Sequence, residues 1–146
     1  MILLDTNVLS ELMRPQPNEA VINWVDAQNR AELVICTITV AEIRYGIARL
    51  PDGKRKNTYS AIASKLFDQL FAGRILSFDY PSAKIQAEIL ARRERTGQAM
   101  SMADAQIAAI CLATATADSV PTLATRNIKD FTNIGLRLIN PWQPEI

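Results

Sequence analysis

The sequence predicts an α/β protein with a central, mostly parallel five-stranded sheet and helices on both faces. Short apolar, β-branched runs alternate with longer helical patterns. Gly, Pro and Asn punctuate the joins, and no repeat or low-complexity linker interrupts the alternation. A chain of 146 residues is expected to form one domain over 1–146, with 49% hydrophobic residues to build its core.

Met1–Asp5 reads as a short buried strand followed by a helix from about Asn7 to Met13, which Arg14-Pro15-Gln16-Pro17 stops. Asn18 suits the N-cap of a second helix whose apolar side is Val21, Ile22, Trp24 and Val25. Leu33–Thr37 predicts a second strand and Thr39–Leu50 a helix, ended by Pro51-Asp52-Gly53. Lys54–Phe71 predicts a long amphipathic helix with Tyr59, Ile62, Leu66, Phe67, Leu70 and Phe71 on one stripe. Arg74–Phe78 is the third expected strand. Ser82–Thr96 is a helix closed by Gly97, and Met102–Thr116 a helix apolar nearly all round. Pro121–Thr125 and Leu136–Asn140 complete the strands.

Charge and composition exclude much. The net charge is +1, so a uniformly basic surface that draws nucleic acid from a distance is not expected. Lys54-Arg55-Lys56 and Arg92-Arg93 with Arg95 are local clusters that read first as solvated helix faces. The former sits where the helix dipole disfavours cations, which points weakly to a partner. The sequence has no histidine, which removes Ser-His-Asp and Cys-His systems, histidine acid–base nucleases and His-containing zinc sites. Cys36 and Cys111 lie in apolar segments and read as buried free thiols. Neither a signal peptide nor an apolar run of membrane-spanning length is visible, so a cytoplasmic protein without membrane contact is expected.

Three acids fall where apolar stretches turn into helices: Asp5, Glu42 and Asp104. Each has an ordinary explanation. Thr39-Val40-Ala41-Glu42 and Ser101-Met102-Ala103-Asp104 both fit a capping box, and Asp5 can accept amide bonds at the start of the first helix. Jointly they suggest more, because carboxylates gathered in a partly desolvated pocket repel, and a divalent cation removes that penalty. An all-oxygen set suits Mg²⁺ or Mn²⁺. Such a site activates water for phosphodiester hydrolysis, with RNA as the expected substrate.

Leu3-Leu4-Asp5-Thr6-Asn7-Val8, Thr39-Val40-Ala41-Glu42-Ile43-Arg44-Tyr45-Gly46, Met102-Ala103-Asp104-Ala105-Gln106-Ile107-Ala108, Thr125-Arg126-Asn127-Ile128-Lys129-Asp130-Phe131 and Ile139-Asn140-Pro141-Trp142 occur in that order. With these motifs the chain resembles the PIN domain, the nuclease fold of bacterial toxins of the VapC/FitB type. The resemblance implies a PIN-like fold and a metal-dependent ribonuclease that is the toxin of a type II toxin–antitoxin pair. It implies Asp5, Glu42 and Asp104 as metal-binding and catalytic acids, and a homodimer that binds a cognate DNA-binding antitoxin, in some cases within a higher assembly. Thr6 and Thr125 look like hydroxyls that hold the acids or touch phosphate. Asn127 stands where many members of the family have a fourth acid. Asp130, about a helical turn onward, is expected to cap or anchor its loop, with substitution for that fourth acid as the alternative. An antitoxin segment typically lies in an apolar groove, for which the Lys54–Phe71 stripe is an expected wall, with ordinary core packing the alternative for most of its residues. The competing expectation is a catalytically weak or inactive PIN-fold interaction module acting as a dimeric antitoxin-binding corepressor. A phosphoacceptor or aspartate-nucleophile phosphatase fits less well, since Asp5-Thr6-Asn7 lacks the second Asp such a nucleophile needs.

Overall fold

The computed structural model describes residues 1–144. Its strands are β1 (Ile2–Leu4), β2 (Leu33–Cys36), β3 (Ile75–Leu76), β4 (Thr122–Ala124) and β5 (Arg137–Ile139). They form one sheet in the order β3-β2-β1-β4-β5. Every pairing is parallel. The helices are α1 (Thr6–Leu12), α2 (Glu19–Asp26), α3 (Thr37–Ala48), α4 (Lys54–Lys65), α5 (Tyr80–Arg95) and α6 (Met102–Leu112).

The strands are apolar throughout because both faces are covered. Successive residues alternate between two cores. Leu3, Val34, Cys36 and Leu123 pack with Ile89, Ile107, Ile110 and Phe131 on the side of α5 and α6. Leu4, Leu33, Ile35 and Ala124 pack with Val8, Leu9, Val21, Ala63 and Phe67 on the side of α1, α2 and α4. Cys36 and Cys111 are buried free thiols, as expected.

The chain steps outward from β1 to β2 to β3, then returns to place β4 on the other side of β1. The strand order therefore reverses between β1 and β4. In open parallel sheets a ligand crevice forms beyond the carboxyl ends of the strands at such a point. Asp5 immediately follows β1 and Thr125 immediately follows β4, with the Asp5 amide donating to the Ala124 carbonyl at 2.9 Å.

Several expectations are corrected. Helix α3 begins at Thr37, not Thr39, and its N-cap Cys36 makes no side-chain capping bond. Thr39 is fully buried within the helix, so the Thr39–Glu42 capping box does not form. The α4 stripe is broken by a π-helical turn over Leu66–Leu70. The wider turn shifts the phase, so Phe67 and Phe71 stay buried while Leu70 is 49% exposed. Helix α5 starts at Tyr80, where the Asp79 carboxylate caps Ser82 through both its amide and its hydroxyl. Helix α6 ends at Leu112, and Thr116 instead pairs with Ser119 in a tight turn. Lys56 donates to the Ala48 carbonyl at the end of α3 at 3.2 Å and pairs with Asp52 at 3.3 Å, which accounts for a lysine in the first turn of α4.

Arg93 is a further correction. It belongs to a cluster read as solvated, yet it is buried and donates to the carbonyls of Asp130 (3.2 Å) and Thr132 (2.8 Å). It pins the 3₁₀ turn Ile128–Phe131 that follows β4. The main chain of Asp130, rather than its carboxylate, anchors that loop. Arg93→Met keeps the stem and removes the donors, leaving the two carbonyls without their charged partner. The expected cost is ~1–3 kcal/mol in urea unfolding with an unchanged slope. An unchanged midpoint would contradict this role.

Candidate active site

The switch point holds a cavity of about 470 Å³ lined by Asp5, Glu42 and Asp104 together with Thr6, Asn7, Glu11, Arg14, Arg126, Asn127 and Trp142. All three acids singled out in the sequence thus face one space, from β1–α1, α3 and α6.

Asp5 is the buried member, 4% exposed. One carboxylate oxygen, Oδ1, accepts the Thr6 amide at 2.8 Å. Oδ2 accepts the Thr125 hydroxyl at 2.7 Å and the Asn7 side-chain amide at 3.3 Å. The capping expectation for Asp5 is therefore met, and it coexists with the site. Three donors should favour the charged form, but burial outweighs them. Burial, with the nearby charges of Asp104 and Glu42, pushes the Asp5 carboxyl up from 3.8 to about 6. Oδ1 accepts a single bond and retains acceptor capacity.

Glu42 stands on the open side and is exposed. The Thr6 hydroxyl donates to its Oε1 at 2.7 Å. The same hydroxyl lies 3.0 Å from the Thr39 hydroxyl. Thr6 has one proton to give, so Thr39 is the donor of that second bond. Thr39 thus supports Thr6, which holds Glu42.

Asp104 is half-buried at the start of α6, and Ser101 caps that helix by accepting the Asp104 amide at 3.1 Å. Half of the expected capping box is present among the hydrogen bonds of the described residues. Burial raises the Asp104 carboxyl, the Ser101 contact lowers it, and the charges of Asp130 and Glu42 raise it again. Asp104 also lines a neighbouring cavity of about 430 Å³ with Arg93, Lys129 and Asp130.

Thr125, fully buried, gives its proton to Asp5 and accepts the Asn127 amide at 3.1 Å. Asn127 lines the cavity, where its side-chain amide presents both a carbonyl oxygen and an NH₂ group.

The residue types suit a hard divalent cation: oxygen donors only, one of them strongly desolvated. Among the described residues, no three His, Cys, Asp or Glu side chains stand in a ready-made metal cage. Like charges repel, so drawing the trio onto one point takes a cation between them.

Three features of the cavity lay outside the sequence reading of the site. Asn7 bridges it, donating to Asp5 and accepting the Arg126 amide at 3.3 Å. Glu11 is a fourth, buried carboxylate on the wall, accepting the Asn18 amide at 3.1 Å and Arg14 at 3.3 Å. Its spacing of four from Asn7 puts both on one helix face, a legible signal. The Arg126 guanidinium lies over the Trp142 ring, 5.1 Å from its centroid. Nothing in the sequence brings that pair together.

The PIN domain family model matches residues 2–134. The chain is 48% identical to the plasmid stability protein StbB of Pseudomonas syringae pv. tomato over 143 residues, covering 98% of this chain and 99% of the relative. It is 44% identical to Toxin FitB of Neisseria gonorrhoeae over 142 residues, covering 97% and 99%. Among solved structures, FitAB bound to the IR36 DNA fragment contains a chain that superposes with a TM-score of 0.89 at 42% identity, covering 100% of this chain and 99% of that one. With matches that run essentially end to end, the chain belongs to the PIN-domain family and groups within it with proteins of the VapC/FitB type.

Proposed function

We propose that residues 1–146 act as a single PIN domain, a Mg²⁺- or Mn²⁺-dependent endoribonuclease that is the toxin of a type II toxin–antitoxin pair in the cytoplasm. The observation that carries this reading is the meeting of Asp5, Glu42 and Asp104 on one cavity at the switch point of the sheet. A relative 40% identical over 144 residues is named VapC ribonuclease Y4jK. Solved relatives are complexes named FitAB and VapBC, some bound to DNA. They support a cognate DNA-binding antitoxin as partner and a higher assembly, in which this chain is proposed to act as a homodimer. Among the described residues no helix is long and apolar enough to cross a membrane.

Asp5, Glu42 and Asp104 would hold the cation, which when bound supplies charge neutralisation and water activation at the scissile phosphate. Thr125 and Thr6 fix the carboxylates of Asp5 and Glu42 by donating to them. A carboxylate beside the cation would take the proton of the attacking water. Asn127 offers a neutral oxygen where a fourth acid would add charge. The antitoxin segment is assigned to a groove of about 730 Å³ lined by Leu12, Met13, Pro15, Tyr59 and Ile62, one wall of which is α4.

Purified, antitoxin-free protein should cut RNA, including structured tRNA, in Mg²⁺ or Mn²⁺ and lose that activity in EDTA. No cleavage in either metal by a chain with intact acids would sink the enzyme reading.

A further inference from the structure

We propose that Arg126, laid on Trp142, is the phosphate-gripping residue of the acidic cavity and holds RNA beside Asp5 and Asp104. The inference rests on the ribonuclease reading and names a substrate contact for it.

The charge balance poses the problem. The cavity wall carries Asp5, Glu11, Glu42 and Asp104 against Arg14 and Arg126. A phosphodiester approaching such a wall is repelled, and a chain of net charge +1 offers little attraction from a distance. A local cation must therefore contribute. Arg14 is already committed, since it pairs with the buried Glu11 at 3.3 Å. Arg126 is exposed and forms no ion pair among the described residues.

Arg126 is also held in place. Its backbone amide donates to Asn7 Oδ1 at 3.3 Å, and Asn7 in turn donates to Asp5. Its guanidinium rests on the half-buried Trp142, which packs against the core on the side of α1 and α2. Stacking uses the face of the guanidinium and leaves its N–H donors free for phosphate oxygens. Asn7 thus fixes the spacing between the acid that holds the cation and the arginine that holds the strand. Preorganisation of this kind lowers the side-chain entropy lost on binding.

The test uses a fluorescein-labelled single-stranded RNA and anisotropy, with Asp104→Asn as the uncleaving background. Adding Arg126→Ala should weaken binding about tenfold, the size of one charge-assisted contact. It should also flatten the slope of log affinity against log salt by about 0.7, the share of one phosphate on a single strand. Arg126→Lys should keep the slope and recover only part of the affinity. In the chain with intact acids, Arg126→Ala should raise KM more than it lowers kcat. Equal affinity and equal salt slope with and without Arg126, or no RNA binding at all, overturns the assignment. If the intact chain cuts no RNA, the ribonuclease reading fails, and the binding measurement still decides the role of Arg126.

Discussion

Asp5→Asn abolishes RNA cleavage while leaving the metal-free protein at least as stable as the wild type. The two halves of this expectation have one cause. Asp5 is buried and sits near two other acids, so its charge is costly to the apo fold and useful only when a cation is bound. The amide keeps a carbonyl oxygen for the Thr6 N–H and removes the charge. Its NH₂ group replaces the oxygen that accepts from Thr125 and Asn7, so it opposes both donors unless the Thr125 hydroxyl turns to accept from it, which offsets part of the gain. Cleavage should fall at least ~100-fold, as expected for losing several kcal/mol of metal-assisted stabilisation. The melting temperature in EDTA at pH 7.5 should be unchanged or higher. Cleavage within about tenfold of the wild type, or a fall in melting temperature of the size seen for core truncations, contradicts this account of Asp5.

Thermal stability in EDTA should fall between pH 5 and pH 7.5, and Mg²⁺ or Mn²⁺ should restore it mainly at the upper end. In the folded chain Asp5 keeps its proton up to about 6, against 3.8 for the free side chain. Below 3.8 both folded and unfolded chains carry that proton. As pH rises toward and through about 6, the folded chain resists ionisation that the unfolded chain has already completed in water. The contribution of a raised acid is thus present at low pH and lost as pH climbs through its folded value. About half of this loss is already complete at pH 5, so the further fall for Asp5 between pH 5 and pH 7.5 is about 1.4 kcal/mol, or about 3–6 °C for a chain of this size. Asp104 acts in the same direction. Asp79 and Glu32, both held below their ordinary values, are ionised in folded and unfolded chains alike across this interval. The Cys111 thiol, pushed up to about 12 by burial, does not ionise within it in the folded chain. A scanning-fluorimetry series with EDTA and with cation checks the expectation. A metal-free protein more stable at pH 7.5 than at pH 5 would oppose it.

The sheet was legible in the sequence because parallel strands buried on both faces read as plain apolar runs. The start of α3 was not. Thr37-Ile38-Thr39 is β-branched and extends the strand pattern, but the chain turns at Cys36, and the Thr37 hydroxyl instead accepts the Phe78 amide. The three acids could be named from their positions just past strand ends and at helix starts. Their individual environments could not, since burial depends on what the other segments bring. Glu42, expected in a desolvated pocket, is exposed. Glu11, which the sequence reading did not single out, is 6% exposed. Arg93 shows the same limit, because its acceptors lie 37 and 39 residues away along the chain. The Arg126–Trp142 pair joins two loops whose approach is set by β4 and β5 pairing, information that no local pattern carries.

The most direct test of the site is Mg²⁺ or Mn²⁺ titrated calorimetrically into metal-free protein at pH 7.5, wild type beside Asp104→Asn. Saturable binding to the wild type is expected, weakened at least ~10-fold in a variant that keeps its circular dichroism spectrum. Indistinguishable titrations of the two proteins, or none for the wild type, would mean that these acids do not share a cation.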